Sequence, residues 1–181
     1  MEPVETPVAA AAGMRAVTAR AGYMMGANVD DGWTAEEAAA WEGLLELGRR
    51  LRRDAETVLE EHHDLGVSML GIMGRLERAP RRTLRQTDLA DAMGLSLSRI
   101  SRVIDVLEKR ELVKRVPCPS DARATNVTLT PAGRRRTAAS QDTIHDYVQR
   151  AFISRLDEDE KAVLARVFTR LITEPPEPPA P

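Results

Sequence analysis

The stretch TDLADAMGLSLSRISRVIDVLEKRELV, residues 87–113, constrains the fold more than any other part of the chain. Ile100, Val103, Ile104 and Leu107 fall at i, i+3, i+4 and i+7, which on an α-helix is one apolar stripe about 100° wide. Before that helix, Thr87 is a plausible N-cap for a shorter one on which Leu89 and Met93 share a face. Gly94 supplies the left-handed residue that ends the short helix, and Ser96 caps the long one. After Glu111 the period changes. LVKRV and TNVTLT read as short strands, with PCPSDARA as the loop between them.

The flanks are helical. Thr34 caps a helix whose first turn holds Glu36 and Glu37, and Trp41, Leu44, Leu45, Leu51, Val58 and Leu59 recur along it to about Glu61. A second helix is expected over Leu65–Arg78, stopped near Pro80. Thr130-Pro131 opens another that continues through Ile144, Val148 and Phe152, and a last one runs from Asp157 to Ile172. The class is therefore mostly α with a small β-hairpin. Residues 1–33 are rich in Ala, Pro and Gly without a sustained period and are expected to be disordered, as is the proline-rich tail 174–181. Between them we expect an N-terminal helix (34–64), a central lobe (65–133) and C-terminal helices (134–173).

The net charge of −2 conceals an asymmetry. Arg75–Arg136 holds 15 Lys/Arg against 7 Asp/Glu, a balance of +8, and the remainder carries −10. A basic centre between acidic arms points to a localised polyanion contact. No aromatic residue occurs between Arg75 and Arg136. Single-stranded nucleic acid is bound on stacking platforms, so duplex DNA is the better partner.

Opposite the apolar stripe of the long helix lie Ser98, Arg102, Asp105 and Lys109, with Ser101 at one edge and Arg99 on the other flank. Arginine can grip guanine O6 and N7, serine hydroxyls can meet bases or phosphates, and a helix N-terminus favours phosphate. Alone, such a face is as well explained by solvation; the short helix and tight turn before it make a helix-turn-helix layout, which favours DNA. Ser98, Arg99, Ser101 and Arg102 are thus the candidate readers, with Thr87 as a phosphate holder from the supporting helix. At the hairpin tip, Arg123 suits a narrow minor groove, and Asp121 would brace the tip by pairing with an arginine.

LADAMGLSLSRISRVIDVLEKRELVKRV and SDARATNVTLTPAG resemble the MarR family of winged helix-turn-helix transcriptional regulators. The resemblance is densest from Thr87 to Gly133. It is carried by Ser101-Arg102, Leu107-Glu108-Lys109-Arg110, Asp121-x-Arg123 and Leu129-Thr130-x-x-Gly133. It implies a homodimer with interlocked terminal helices, in which Val163, Leu164, Val167, Phe168 and Leu171 form the dimerisation stripe. It further implies a pseudo-palindromic duplex site, repression of a neighbouring gene, and release by a small phenolic or lipophilic effector or an oxidant. Two departures stand out. Arg99 occupies a position where relatives often have a small residue, and Ala122 replaces a frequent basic residue at the wing. A winged-helix module that regulates a partner protein rather than a promoter is the alternative.

The remaining signals are weaker. His62 and His63 in EHHD point in different directions on a helix, which argues against a metal site. With Met69 and Met73 they are weak candidates for lining an effector pocket, although core packing is the commoner use of methionine. Cys118, the single cysteine, is expected to be an ordinary, partly exposed thiol. No catalytic constellation stands out, and neither an enzyme nor a cofactor is expected. The N-terminus lacks the positive charge of a secretory leader and no apolar run is long enough to span a membrane, so a soluble, cytoplasmic protein is expected.

Overall fold

The structure, a computed structural model, describes residues 32–118 and 121–174, with the backbone alone for 121–123. The expected extension, apart from Gly32 and Trp33, and the tail beyond Glu174 lie outside the described residues. The chain divides into two compact units that meet at Asp54 and Ala55, within the first helix, α1 (Ala35–His63).

In the first unit, α1 begins with a reciprocal cap. The Thr34 N–H donates to Glu37 Oε2 at 2.8 Å, and the Glu37 N–H donates to Thr34 Oγ1 at 3.2 Å. That bond to the Thr34 backbone, with the hydroxyl's help, holds the Glu37 carboxyl below its ordinary pKa. Trp41, Leu44 and Leu45 are exposed along this half of the helix.

The second unit continues with α2 (Val67–Arg78), a 3₁₀ turn over Pro80–Arg82, β1 (Thr83–Arg85), α3 (Gln86–Met93), α4 (Leu97–Lys109), β2 (Val113–Cys118), β3 (Asp121–Leu129), α5 (Pro131–Ala151) and α6 (Glu158–Thr173). Each break has a local cause. Gly94 adopts φ 60°, ψ 34° at the end of α3, and Leu95 N–H returns to Ala90 O at 3.1 Å. Ser96 caps α4 by accepting from the Arg99 N–H at 3.3 Å. Thr130 caps α5, with Pro131 in its first turn, and Asp157 and Glu160 close a capping box on α6.

The sheet is antiparallel in the order β1-β3-β2. Sequence periodicity leads one to expect a two-stranded hairpin; the third strand, Thr83–Arg85, pairs along Thr128–Asn126. Three residues are too few to show a period. The hairpin strands also reach further into the expected loop, because Cys118 pairs with Asp121. Cys118 is consequently buried rather than partly exposed.

The core of this unit lies where α2, α3, α4 and the sheet meet. Ile72, Met73 and Leu76 of α2, Leu89 of α3, and Ile100, Ile104 and Leu107 of α4 have no exposed surface, and Val113, Val127 and Leu129 close the sheet side. Each such aliphatic side chain stabilises the fold by roughly 1.5–3 kcal/mol through burial. The stripe read from the sequence is thus the face that fixes α4, and its opposite face is left outward. Arg75 adds a polar tie, donating from Nη2 to Ala92 O at 2.7 Å near the end of α3.

Candidate nucleic-acid interface

The outward face of α4 is polar and largely uncommitted. Ser98, Arg99 and Arg102 are exposed, and neither arginine has a side-chain partner among the described residues. Ser98 Oγ lies 3.1 Å from Ser96 Oγ, so its hydroxyl shares the capping network. Ser101 is half-buried and turned toward the wing. Thr87 is exposed at the start of α3, but it does not cap that helix. The chain enters α3 directly from β1, which puts Arg85 at the cap position with no side-chain capping bond to the helix; the Thr87 hydroxyl instead donates to Asp88 Oδ1 at 3.3 Å.

The residue that organises the interface is Arg115 on β2, which the sequence reading missed. Its Nη1 donates to Glu108 Oε2 at 2.6 Å, and its Nη2 to Asp105 Oδ1 at 2.7 Å and to Ser101 O at 3.2 Å. Its backbone N–H adds a bond to Glu108 Oε1 at 2.7 Å. One guanidinium therefore joins the wing to three positions on α4. That backbone bond, reinforced by the guanidinium, holds the Glu108 carboxyl below its ordinary pKa. Partial burial works against the charge of Arg115, but its bonds to Glu108 and Asp105 outweigh this and hold its pKa above the usual arginine value.

This arrangement accounts for Asp105, an acidic residue on a face suited to phosphate. Its side chain keeps 52% of its surface exposed, yet its charge is matched by Arg115. The signal was present in the sequence: Asp105 and Glu108 are one turn apart, and Arg115 shares the sheet face of Val113 two residues before it. The expected brace from Asp121 and the expected minor-groove probe Arg123 lie at the start of β3, where the backbone alone is described.

Behind the interface, two arginines hold the C-terminal end of α1. Arg110, which follows α4, donates to Asp64 O and lies 3.3 Å from Asp64 Oδ2, while Arg136 of α5 donates to His63 O at 2.9 Å. The His63 ring nitrogen Nε2 lies 2.7 Å from Thr143 Oγ1. Burial, with lesser contributions from Arg136 and His62, holds the His63 imidazole below its ordinary pKa. His62 is exposed, Met73 is wholly buried in the core, and Met69 packs against that core. Among the described residues no group of three or more His, Cys, Asp or Glu side chains could hold a metal ion, and no helix is long and apolar enough to cross a membrane.

The stripe expected to pair subunits lies on α6, which contains no buried residue. Val163, Phe168, Leu171 and Ile172 are exposed there, Leu171 by 57% and Ile172 by 82%, while Leu164 and Val167 are half-buried.

Comparison with known proteins agrees with this geometry. A family model described as MarR family matches residues 63–124. An uncharacterized HTH-type transcriptional regulator of Bacillus subtilis, YxaD, is 36% identical over 108 residues, which cover 54% of this chain and 74% of that protein. The crystal structure of Sco3205, a MarR family transcriptional regulator from Streptomyces coelicolor in complex with DNA, superposes with a TM-score of 0.73 at 29% identity, covering 81% of this chain and 91% of that one. AbsC, a MarR family regulator from the same organism, gives a TM-score of 0.71 at 28% identity, over 78% of this chain and 95% of its own.

Proposed function

The chain belongs to the MarR family of transcriptional regulators, and from that premise we propose that it is a homodimeric, sequence-specific binder of duplex DNA acting in the cytoplasm. It represses transcription and leaves its site when a small phenolic or lipophilic effector binds. The observation that carries the DNA reading is the division of labour on α4: one face is sealed into the core, while on the other Arg99 and Arg102 stand exposed, without a side-chain partner among the described residues. Arg102, with Ser98, Ser101 and Arg99, reads bases or adjacent phosphates in the major groove; Thr87 holds a phosphate and Arg123 enters the flanking minor groove. The DNA complex of Sco3205 supports this choice of partner. The bare apolar surface of α6 supports a dimer, whose two-fold symmetry calls for half-sites about 10–10.5 bp apart.

Selection of genomic fragments by the purified protein tests the proposal, and small phenolic and lipophilic compounds added to the selected complex test the effector. Six or more phosphate contacts give log K against log [salt] a slope of about −5 or steeper. A flat dependence contradicts the electrostatic account.

A further inference from the structure

We infer that Leu97 reads sequence, receiving the C5-methyl group of a thymine in the major groove. The inference rests on the DNA-binding reading above and names one base that the site selects.

Leu97 opens α4 and lies seven residues before Ile104, so it continues the helix's apolar stripe. Of the stripe, Ile100, Ile104 and Leu107 are completely buried and Val103 is half-buried against the core, whereas Leu97 keeps 49% of its surface exposed. The first turn of α4 therefore overruns the core and carries the stripe to the surface. It emerges at a shallow groove that Leu97 lines together with Arg85, Gln86 and Thr87 at the β1–α3 junction and Ala124 and Thr125 of β3.

A single exposed leucine is ordinary on a protein surface. Position separates this one from the ordinary case. On the helical wheel Leu97 stands well away from Arg99 and Arg102, but it lies in the first turn of α4 next to exposed Ser98, and a recognition helix meets base edges with its N-terminal residues. Phosphate gives a leucine side chain nothing and strips water from the phosphate. The major-groove edges of the bases offer one protruding apolar group, the thymine methyl. The groove matches it: Ala124 and the two threonines add methyl groups beside Leu97, and the Gln86 amide supplies the donor and acceptor that fit the N6 and N7 of adenine. A step rich in A·T pairs answers both halves of this lining.

The test uses the full-length protein and a duplex enriched by it from a random-sequence library. That duplex is remade with deoxyuridine in place of thymidine, first throughout and then at single positions in both half-sites, which removes methyl groups and leaves the pairing edges unchanged. At the contacted position the wild-type protein binds roughly fourfold more weakly per half-site. Leu97→Ala binds the thymidine duplex with a similar loss and does not distinguish it from the deoxyuridine duplex. Indifference of the wild type to complete replacement overturns the inference, as does a Leu97→Ala variant that remains equally sensitive, since another residue then reads the methyl. Failure to enrich any duplex overturns the DNA-binding reading itself and this inference with it, so the two failures are distinguishable.

Discussion

Arg115 shows how one residue can decide whether a helix face is usable for DNA. Without its guanidinium, Asp105 would present an uncompensated charge beside phosphates, and Glu108 would keep only its bond from the backbone N–H of residue 115. Arg115→Gln is expected to weaken binding to the selected duplex by about 1–3 kcal/mol, measured by fluorescence anisotropy. Adding Asp105→Asn restores most of that loss if the cause is exposed charge. A double variant as weak as Arg115→Gln alone shows that the arginine acts only by holding the wing in place. Arg102, exposed on the same face, makes the complementary case: Arg102→Ala costs roughly 1–3 kcal/mol on the preferred site and relaxes specificity there, whereas a uniform loss on all sequences reduces it to a phosphate contact.

At the scale of elements, the junction of wing and α5 leaves no room for a side chain at Gly133. Thr130 Oγ1 accepts from the Gly133 N–H at 2.9 Å and donates to Glu111 O at 2.7 Å. A Cβ on Gly133 would lie 1.9 Å from Leu112 O and 2.8 Å from Leu129 Cδ1. The first obstacle is backbone that itself receives the Thr130 N–H at 3.1 Å, so it cannot yield cheaply. Gly133→Ala is expected to destabilise the fold by about 2–3 kcal/mol or more, read as a lowered denaturant midpoint. An unchanged midpoint would mean that α5 docks more loosely than the structure shows.

The same elements show what a sequence makes legible. The stripe of α4, the glycine after α3 and the Thr-Pro start of α5 are local signals, and each depends on a few adjacent residues. The strand Thr83–Arg85 is a strand only because β3 lies beside it, and its presence moves the start of α3 ahead of Thr87. In the Arg115 network, which joins residues seven to fourteen positions apart, periodicity places Asp105, Glu108 and Arg115 on their faces, but only the approach of wing and helix brings those faces together. Exposed Arg99 and Arg102 were legible as candidates because an amphipathic helix fixes its outward face; the half-exposure of Leu97 was not, because only the extent of the core decides where a stripe runs out.

At the scale of the molecule, the apolar surface left bare on α6 is the main claim on a second copy. Leu171 and Phe168 are expected to be buried between subunits. Leu171→Glu is expected to shift sedimentation at micromolar concentration toward the monomer and to weaken binding to a two-half-site duplex while leaving the thermal transition of the winged unit in place. A wild-type protein that sediments as a monomer at every concentration contradicts the dimer. The charge pattern belongs to this scale too: the basic balance of residues 75–136 concentrates attraction for a polyanion in the part of the chain that carries α4 and the wing.

The central claim is that this surface reads duplex sequence, and the ratio of two dissociation constants tests it most directly. Kd is measured at physiological salt for the selected duplex and for a scrambled duplex of the same length and composition. The account predicts a ratio of about 10³ or more in favour of the selected site. Equal constants for the two duplexes would contradict it.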